Sequence, residues 1–328
     1  MSISRAARFL GVLAAVIGLA GAPWLPARAQ SASAVPTTES TYVYRTVNGL
    51  PVEADVFHPP GDRVTPAILW LHGGALIMGM RHNIRSWELQ QYVAHGYTVV
   101  AIDYRLAPET KLPRIVDDVE SAYSWMRSQA RTLGIDPHRI AVVGHSAGAY
   151  LALMCGVVLR PAPCAIVSYY GYGDILGEWC SRPDSFYLAQ PRVPASRLDS
   201  LTGPSPITQA SGPARGSLYV YMRQAGLWTR IVSGLDPRAE AAELKRYCPV
   251  LNVTRNYPPT MLLHGTADAD VPFAQSVAMR DALVRAGVTC ELIALPGKDH
   301  GFDFDQRDPD VLNAEGRAQA FLDAKLHP

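Results

Sequence analysis

The chain of 328 residues has no excess of either charge, with 30 Lys and Arg against 29 Asp and Glu. It has no basic run and no aromatic-basic stripe, which argues against a groove for nucleic acid. Cysteine is scarce, and none of the five residues is paired as Cys-x-x-Cys, so zinc binding and thiol redox chemistry have little to stand on. No internal repeat is present, and the apolar run from Phe9 to Ala22 is too short to span a bilayer comfortably. What is there is a sequence 48% hydrophobic, long enough to bury a large core. A small, roughly neutral substrate suits it best.

Arg5 and Arg8 precede the apolar run, and Ala27-Arg28-Ala29 follows it. A basic start, an apolar middle and small residues at the −3 and −1 positions read as a secretory signal over 1–29, cut after Ala29. Ala32-Ser33-Ala34 offers a second cut, and no cysteine stands where a lipid anchor needs one. The expectation is a protein secreted or released to a periplasm, with no membrane span once the signal is removed. Residues 30–40 read as a Ser/Ala/Thr linker and 41–328 as one domain. Of the cysteines, Cys155 and Cys290 fall in core patterns, while Cys180 and Cys248 flank an insertion and are the disulfide candidates.

Tyr42–Thr46 and Val52–Phe57 alternate around Asn48-Gly49, a hairpin signature. Six short apolar runs follow, at 67–71, 97–102, 140–143, 165–168, 260–263 and 289–295, as strands buried on both faces require. Helix-compatible segments at 86–94, 115–130, 147–159, 273–286 and 311–326 separate or follow most of them. The alternation predicts an α/β fold, a mostly parallel eight-stranded sheet flanked by helices, with ligands at the carboxyl ends of the strands. About ninety residues lie between the sixth and seventh strands, far beyond an ordinary connection. They predict an insertion at about 171–258, with a helix at 237–246, sitting over the site as a cap.

The chemistry gathers at strand ends. Gly144-His145-Ser146-Ala147-Gly148 lies between a strand and a helix, where a sharp turn exposes Ser146 as a nucleophile. A serine hydroxyl needs a base and a group to orient that base. His300 stands after the last strand and Asp268 after the one before, with Asp270 and Asp299 as rivals for the acid. His72-Gly73-Gly74-Ala75 follows another strand, so the amides of Gly74, Ala75 and Ala147 are placed to hold an oxyanion. Tyr169, Tyr170 and Tyr172 open the insertion and are candidates to line the substrate pocket. His72 and His264 read as loop braces, and Arg105, Glu109, Asp117 and Asp118 as a structural polar network. Asp268-Ala-Asp270 lacks the companion ligands of a metal site.

With His72–Ala75, Asp103–Glu109, Gly144–Gly148, His264–Asp268 and His300-Gly301-Phe302 in this order, the chain resembles the α/β-hydrolase superfamily, in its esterase/lipase branch called hormone-sensitive-lipase-like. The resemblance implies Ser146 as nucleophile, His300 as general base and acid, Asp268 as its orienting partner, and no metal or organic cofactor. The chain departs from the pattern at Ala75, where a third glycine is expected, and at His145, where an acid usually precedes the serine. The leading expectation is an exported serine carboxylesterase whose partner is a small-molecule ester. A peptidase or amidase of the same fold, and a non-catalytic binding protein on this scaffold, are the alternatives.

Overall fold

The computed structural model describes residues 35–327; the signal segment 1–29 and both cleavage sites lie outside the described residues. Strands β1 (Thr38–Val47) and β2 (Leu50–His58) form the hairpin. Its two turn residues, Asn48 and Gly49, have φ of 49° and 84°, the left-handed pair that a tight hairpin of right-twisted strands demands. β1 begins at Thr38, inside the stretch read as linker. Its first residues lie exposed at the sheet edge, so no apolar alternation announces them.

The other strands are β3 (Thr65–Leu71), β4 (Thr98–Ile102), β5 (Ile135–His145), β6 (Ile166–Tyr169), β7 (Thr260–Gly265) and β8 (Cys290–Leu295). The sheet order is β1-β2-β4-β3-β5-β6-β7-β8, with β1, β2 and β4 antiparallel in turn and every later pair parallel. Helices of six residues or more are α1 (Ser86–Ala94), α2 (Leu112–Ser128), α3 (Ala147–Val158), α4 (Pro213–Ala225), α5 (Trp228–Ser233), α6 (Ala274–Arg285) and α7 (Pro309–Leu326). Every residue of β3 and β4 is buried, and successive side chains feed two different cores. Leu69, Leu71, Val100 and Ile102 pack on the face covered by α2, α3 and α6, while Ile68, Trp70, Val99 and Ala101 pack on the face covered by α1 and α7. That is why these strands read as continuous apolar runs rather than alternating ones.

Between β6 and β7 the chain leaves the sheet as α4, α5 and several single turns of helix. The helix expected at 237–246 is reduced to one turn, Ala241–Leu244, running into a 3-10 turn at Lys245–Tyr247. Asp236 Oδ1 accepts from the amides of Arg238 and Ala239, and this local turn competes with helix formation at Pro237. The main helix of the insertion is α4 instead. Proline at its first position and Gly226 at φ 65° past its end are ordinary start and stop signals, masked in the sequence by the surrounding prolines.

All five cysteines are free thiols, which corrects the expected Cys180–Cys248 bridge. Each sulfur is served by its own surroundings. Cys180 Sγ lies 3.3 Å from Gly177 O and 3.2 Å from Thr229 Oγ1, and Cys248 Sγ lies 3.6 Å from Leu244 O. Burial pushes both thiols up to about 12, which disfavours the reactive thiolate.

Candidate active site

β5 ends at His145 and α3 starts at Ala147, so Ser146 makes the whole turn with φ 53° and ψ −117°. Such a conformation persists only where the neighbourhood over-determines it. Here Ser146 N donates to Tyr169 O at 2.9 Å, and its carbonyl accepts from Tyr150 N at 3.0 Å. The glycines on either side make the packing possible. A Cβ on Gly144 would stand 2.2 Å from Gly148 O, and one on Gly148 would stand 2.1 Å from Leu71 O.

Three strand ends bring the remaining groups to this serine. His300 Nε2 lies 2.9 Å from Ser146 Oγ, and His300 Nδ1 lies 2.7 Å from Asp268 Oδ2. Asp268 is fixed in turn. Its Oδ1 accepts from the amides of Asp270 and Val271 at 2.9 and 2.8 Å, and its Oδ2 also meets His264 Nε2 at 3.1 Å. Neither rival bonds His300 Nδ1: Asp299 Oδ1 accepts from Ala269 N and His300 N, while Asp270 binds Arg223 through Oδ1 and lies 3.7 Å from His300 Nε2 through Oδ2.

Burial would raise the Asp268 carboxyl, but His300 and His264 outweigh it and hold it well below the usual carboxylate range. For His300, burial works to lower the pKa, and Asp268, with Asp270 and Asp299 behind it, overcomes that and lifts it to about 9. In its neutral form, His300 donates from Nδ1 to Asp268 and accepts the Ser146 proton at Nε2; in its charged form it cannot accept that proton. Turnover that relies on His300 as base therefore rises with pH, passes half its maximum near 9 and levels off above that. A kcat/KM profile from pH 6 to 10 checks this, and a profile flat through neutrality contradicts it.

The loop after β3 lines the cavity with Gly73, Gly74 and Ala75. Gly74, Ala75 and Leu76 take φ of 110°, 54° and 63° in succession, and the Gly74 and Ala75 amides have no acceptor among the described residues. Left-handed backbone costs about 1–2 kcal/mol for a residue bearing a Cβ. Ala75 and Leu76 are held there by Trp228 Nε1 on Ala75 O (3.1 Å) and Ala107 N on Leu76 O (2.8 Å). Ala147 opens α3, so its amide has no partner within the helix. Amides left without a partner in this way are the kind of donor that suits a negative charge.

Both histidine braces are buried. His72, lowered by burial to about 4, bonds Gly73 O through Nδ1 at 2.7 Å and stacks on Tyr104, while His264 joins Ser276 Oγ to Asp268. Arg105 grips Asp118 with two bonds of 2.7 and 2.8 Å, and Arg215 reaches Glu109 at 2.6 Å. Asp117 stands apart from that network and pairs with Arg114 near the surface.

The cavity around Ser146 has a volume of about 360 Å³. Tyr170 and Tyr172 line it, and Tyr169 does not. As the last residue of β6, Tyr169 is buried behind the cavity wall, where it stacks on His145 at 4.4 Å and donates to Glu315 Oε2 at 2.7 Å. Tyr170 stands just past the end of β6 with φ 41°, and this left-handed turn carries it to the cavity although the two rings remain 6.4 Å apart in one core cluster.

Sequence reasoning missed two groups. The first surrounds His145, whose Nε2 lies 2.8 Å from Glu88 Oε1 and whose Nδ1 lies 3.1 Å from Asp303 Oδ2; Asp303 is also paired with Arg85. Burial works to lower the His145 pKa, yet Glu88 and Asp303 raise it to about 9, so an imidazolium ties the serine turn to the loop that carries His300. Its stabilising effect is complete below the ordinary histidine pKa of about 6.5 and is lost as pH climbs through about 9. The second group is the cap wall of Trp179, Trp228, Tyr219 and Arg223. These residues lie far from Ser146 in sequence and carry no motif, so only the folded chain brings them there.

Several known proteins resemble this chain. Non-reducing polyketide synthase Preu6 of Preussia isomera is 26% identical over 318 residues, which cover 86% of this chain. The chain spans only 14% of that synthase's length. An ethyl acetate hydrolase of Pseudomonas putida is 30% identical over 272 residues, covering 78% of this chain and 73% of the hydrolase. Among solved structures, EstE1, a thermostable carboxylesterase cloned from a metagenomic library, superposes with a TM-score of 0.67. That match covers 90% of this chain and 91% of the carboxylesterase at 23% identity, a likeness of fold. The model of a family described as having the alpha/beta hydrolase fold matches residues 68–304. With its eight-stranded sheet and strand-end site, the chain belongs to the α/β-hydrolase superfamily, in the hormone-sensitive-lipase-like branch of esterases and lipases.

Proposed function

We propose that this protein is an exported serine carboxylesterase, acting on small or medium esters through an acyl-enzyme. The observation that carries the reading is the relay from Ser146 Oγ through His300 to Asp268, at 2.9 and 2.7 Å. Ser146 attacks the ester carbonyl as His300 Nε2 takes its proton, and the amides of Gly74, Ala75 and Ala147 receive the oxyanion. His300 then gives the proton to the departing alcohol, and water repeats the sequence on the acyl-enzyme.

The likeness to an ethyl acetate hydrolase supports short esters, as does a cavity of about 360 Å³, small for a long acyl chain. Export rests on residues 1–29, and the proposal sets the mature N-terminus at Gln30. The test is a ladder of p-nitrophenyl esters from acetate to palmitate, given to protein recovered after export. The expected result is turnover peaking at short chains. No turnover on any ester would contradict the proposal, and cleavage of amides alone would favour the peptidase or amidase reading.

A further inference from the structure

Asp270 is a second carboxylate within the site, and its two oxygens live in different surroundings. Oδ1 is saturated: Tyr187 and Tyr219 donate to it at 2.8 and 2.6 Å, and Arg223 Nη1 at 2.7 Å. Oδ2 receives no hydrogen bond among the described residues. It faces the cavity 3.7 Å from His300 Nε2, beside the atom that hands a proton to the leaving group. A carboxylate oxygen is an acceptor only, so what it lacks is a donor. Asp268 does the orienting of His300, which leaves Asp270 Oδ2 without a task in the relay itself.

Resting on the esterase reading, we infer that Asp270 Oδ2 selects esters whose alcohol carries a free hydroxyl next to the ester oxygen, as in monoacyl polyols and sugars. The geometry is a short loop of contacts. The leaving oxygen must come within hydrogen-bond reach of His300 Nε2, and a hydroxyl on the adjacent carbon then falls within reach of Oδ2. A neutral hydroxyl fits better than an ammonium group, because a fixed cation there would oppose the imidazolium that forms on His300 during acylation. The rest of the wall suits such an alcohol. Trp179 and Trp228 present aromatic surface.

The test compares 2-hydroxyethyl acetate with propyl acetate, which replaces the hydroxyl by a methyl group of similar size. With the unaltered protein, the expected kcat/KM is about tenfold or more in favour of the hydroxyl ester, the factor a hydrogen bond to a charged acceptor provides. In D270N the three donors hold the amide oxygen at the Oδ1 position, so the NH2 group replaces the free oxygen. The ratio then falls to one or below. A ratio near one in the unaltered protein overturns the inference whether or not D270N folds. So does a D270N enzyme that is slower on both esters with the ratio kept, since the carboxylate then serves water rather than the alcohol. Failure on p-nitrophenyl acetate as well would instead overturn the esterase reading beneath it.

Discussion

Ser146→Ala lowers kcat on a short ester by about 10⁵- to 10⁶-fold, with the fold and the cavity intact. The size follows from what is removed: without Oγ there is no acyl-enzyme, and His300 has no proton to accept. What remains is substrate binding and the amides for the oxyanion, which sustain a residual rate above that in water of about 10³- to 10⁴-fold. The fold survives because the serine side chain supports no structure. Its side chain bonds His300, whereas the turn is held by its backbone, through Tyr169 O and Tyr150 N. Circular dichroism and thermal unfolding of the variant beside the parent check the second half of this expectation. A variant within tenfold of the parent on p-nitrophenyl acetate would remove Ser146 from the role of nucleophile.

Gly148→Ala is expected to act on folding and on turnover together. Its Cβ would stand 2.1 Å from Leu71 O and 2.4 Å from His72 O, both backbone atoms and neither free to swing away. Either α3 lifts off the end of β3, or β3 is pushed back. In both cases Ser146, at the head of α3, moves relative to the Gly74 and Ala75 amides that follow His72. Overpacking against rigid backbone costs about 1–3 kcal/mol or more, and a chain of this size loses about 2–4 °C of Tm per kcal/mol. The expected drop is therefore about 2–12 °C or failure to fold, with turnover falling further than stability explains. Gly316→Ala is the control. That position is exposed within α7, a Cβ there meets nothing within 4 Å, and the change should stabilise by about 0.5–1 kcal/mol. Equal behaviour of the two variants in a thermal melt would contradict the packing argument at the serine turn.

The sheet was legible because burial on both faces writes itself as short apolar runs, and β3 to β8 each contain one. Ser146, Asp268 and His300 were legible for a different reason. Each stands directly after such a run, so strand geometry alone carries them to one edge. Tyr169 was misplaced because the strand ends on it and the left-handed turn at Tyr170 follows, which position in the sequence does not resolve. The cap was only half legible. Its length stands out, but α4 lies among prolines, and the contacts that matter run between distant residues, as from Arg223 to both Asp184 and Asp270. No local pattern encodes such a contact. The same holds for His145, whose departure from the usual acid is visible in sequence while Glu88 and Asp303, the groups that make it an imidazolium, are not.

The most direct test of the account is to treat the mature protein with a fluorophosphonate near pH 8 and locate the adduct by peptide mass spectrometry. The account requires one equivalent per chain, on the peptide containing Ser146, and no adduct in Ser146→Ala. An adduct on another residue, or a parent protein that folds yet fails to label, would show that the arrangement of Ser146, His300 and Asp268 does not make this serine a nucleophile.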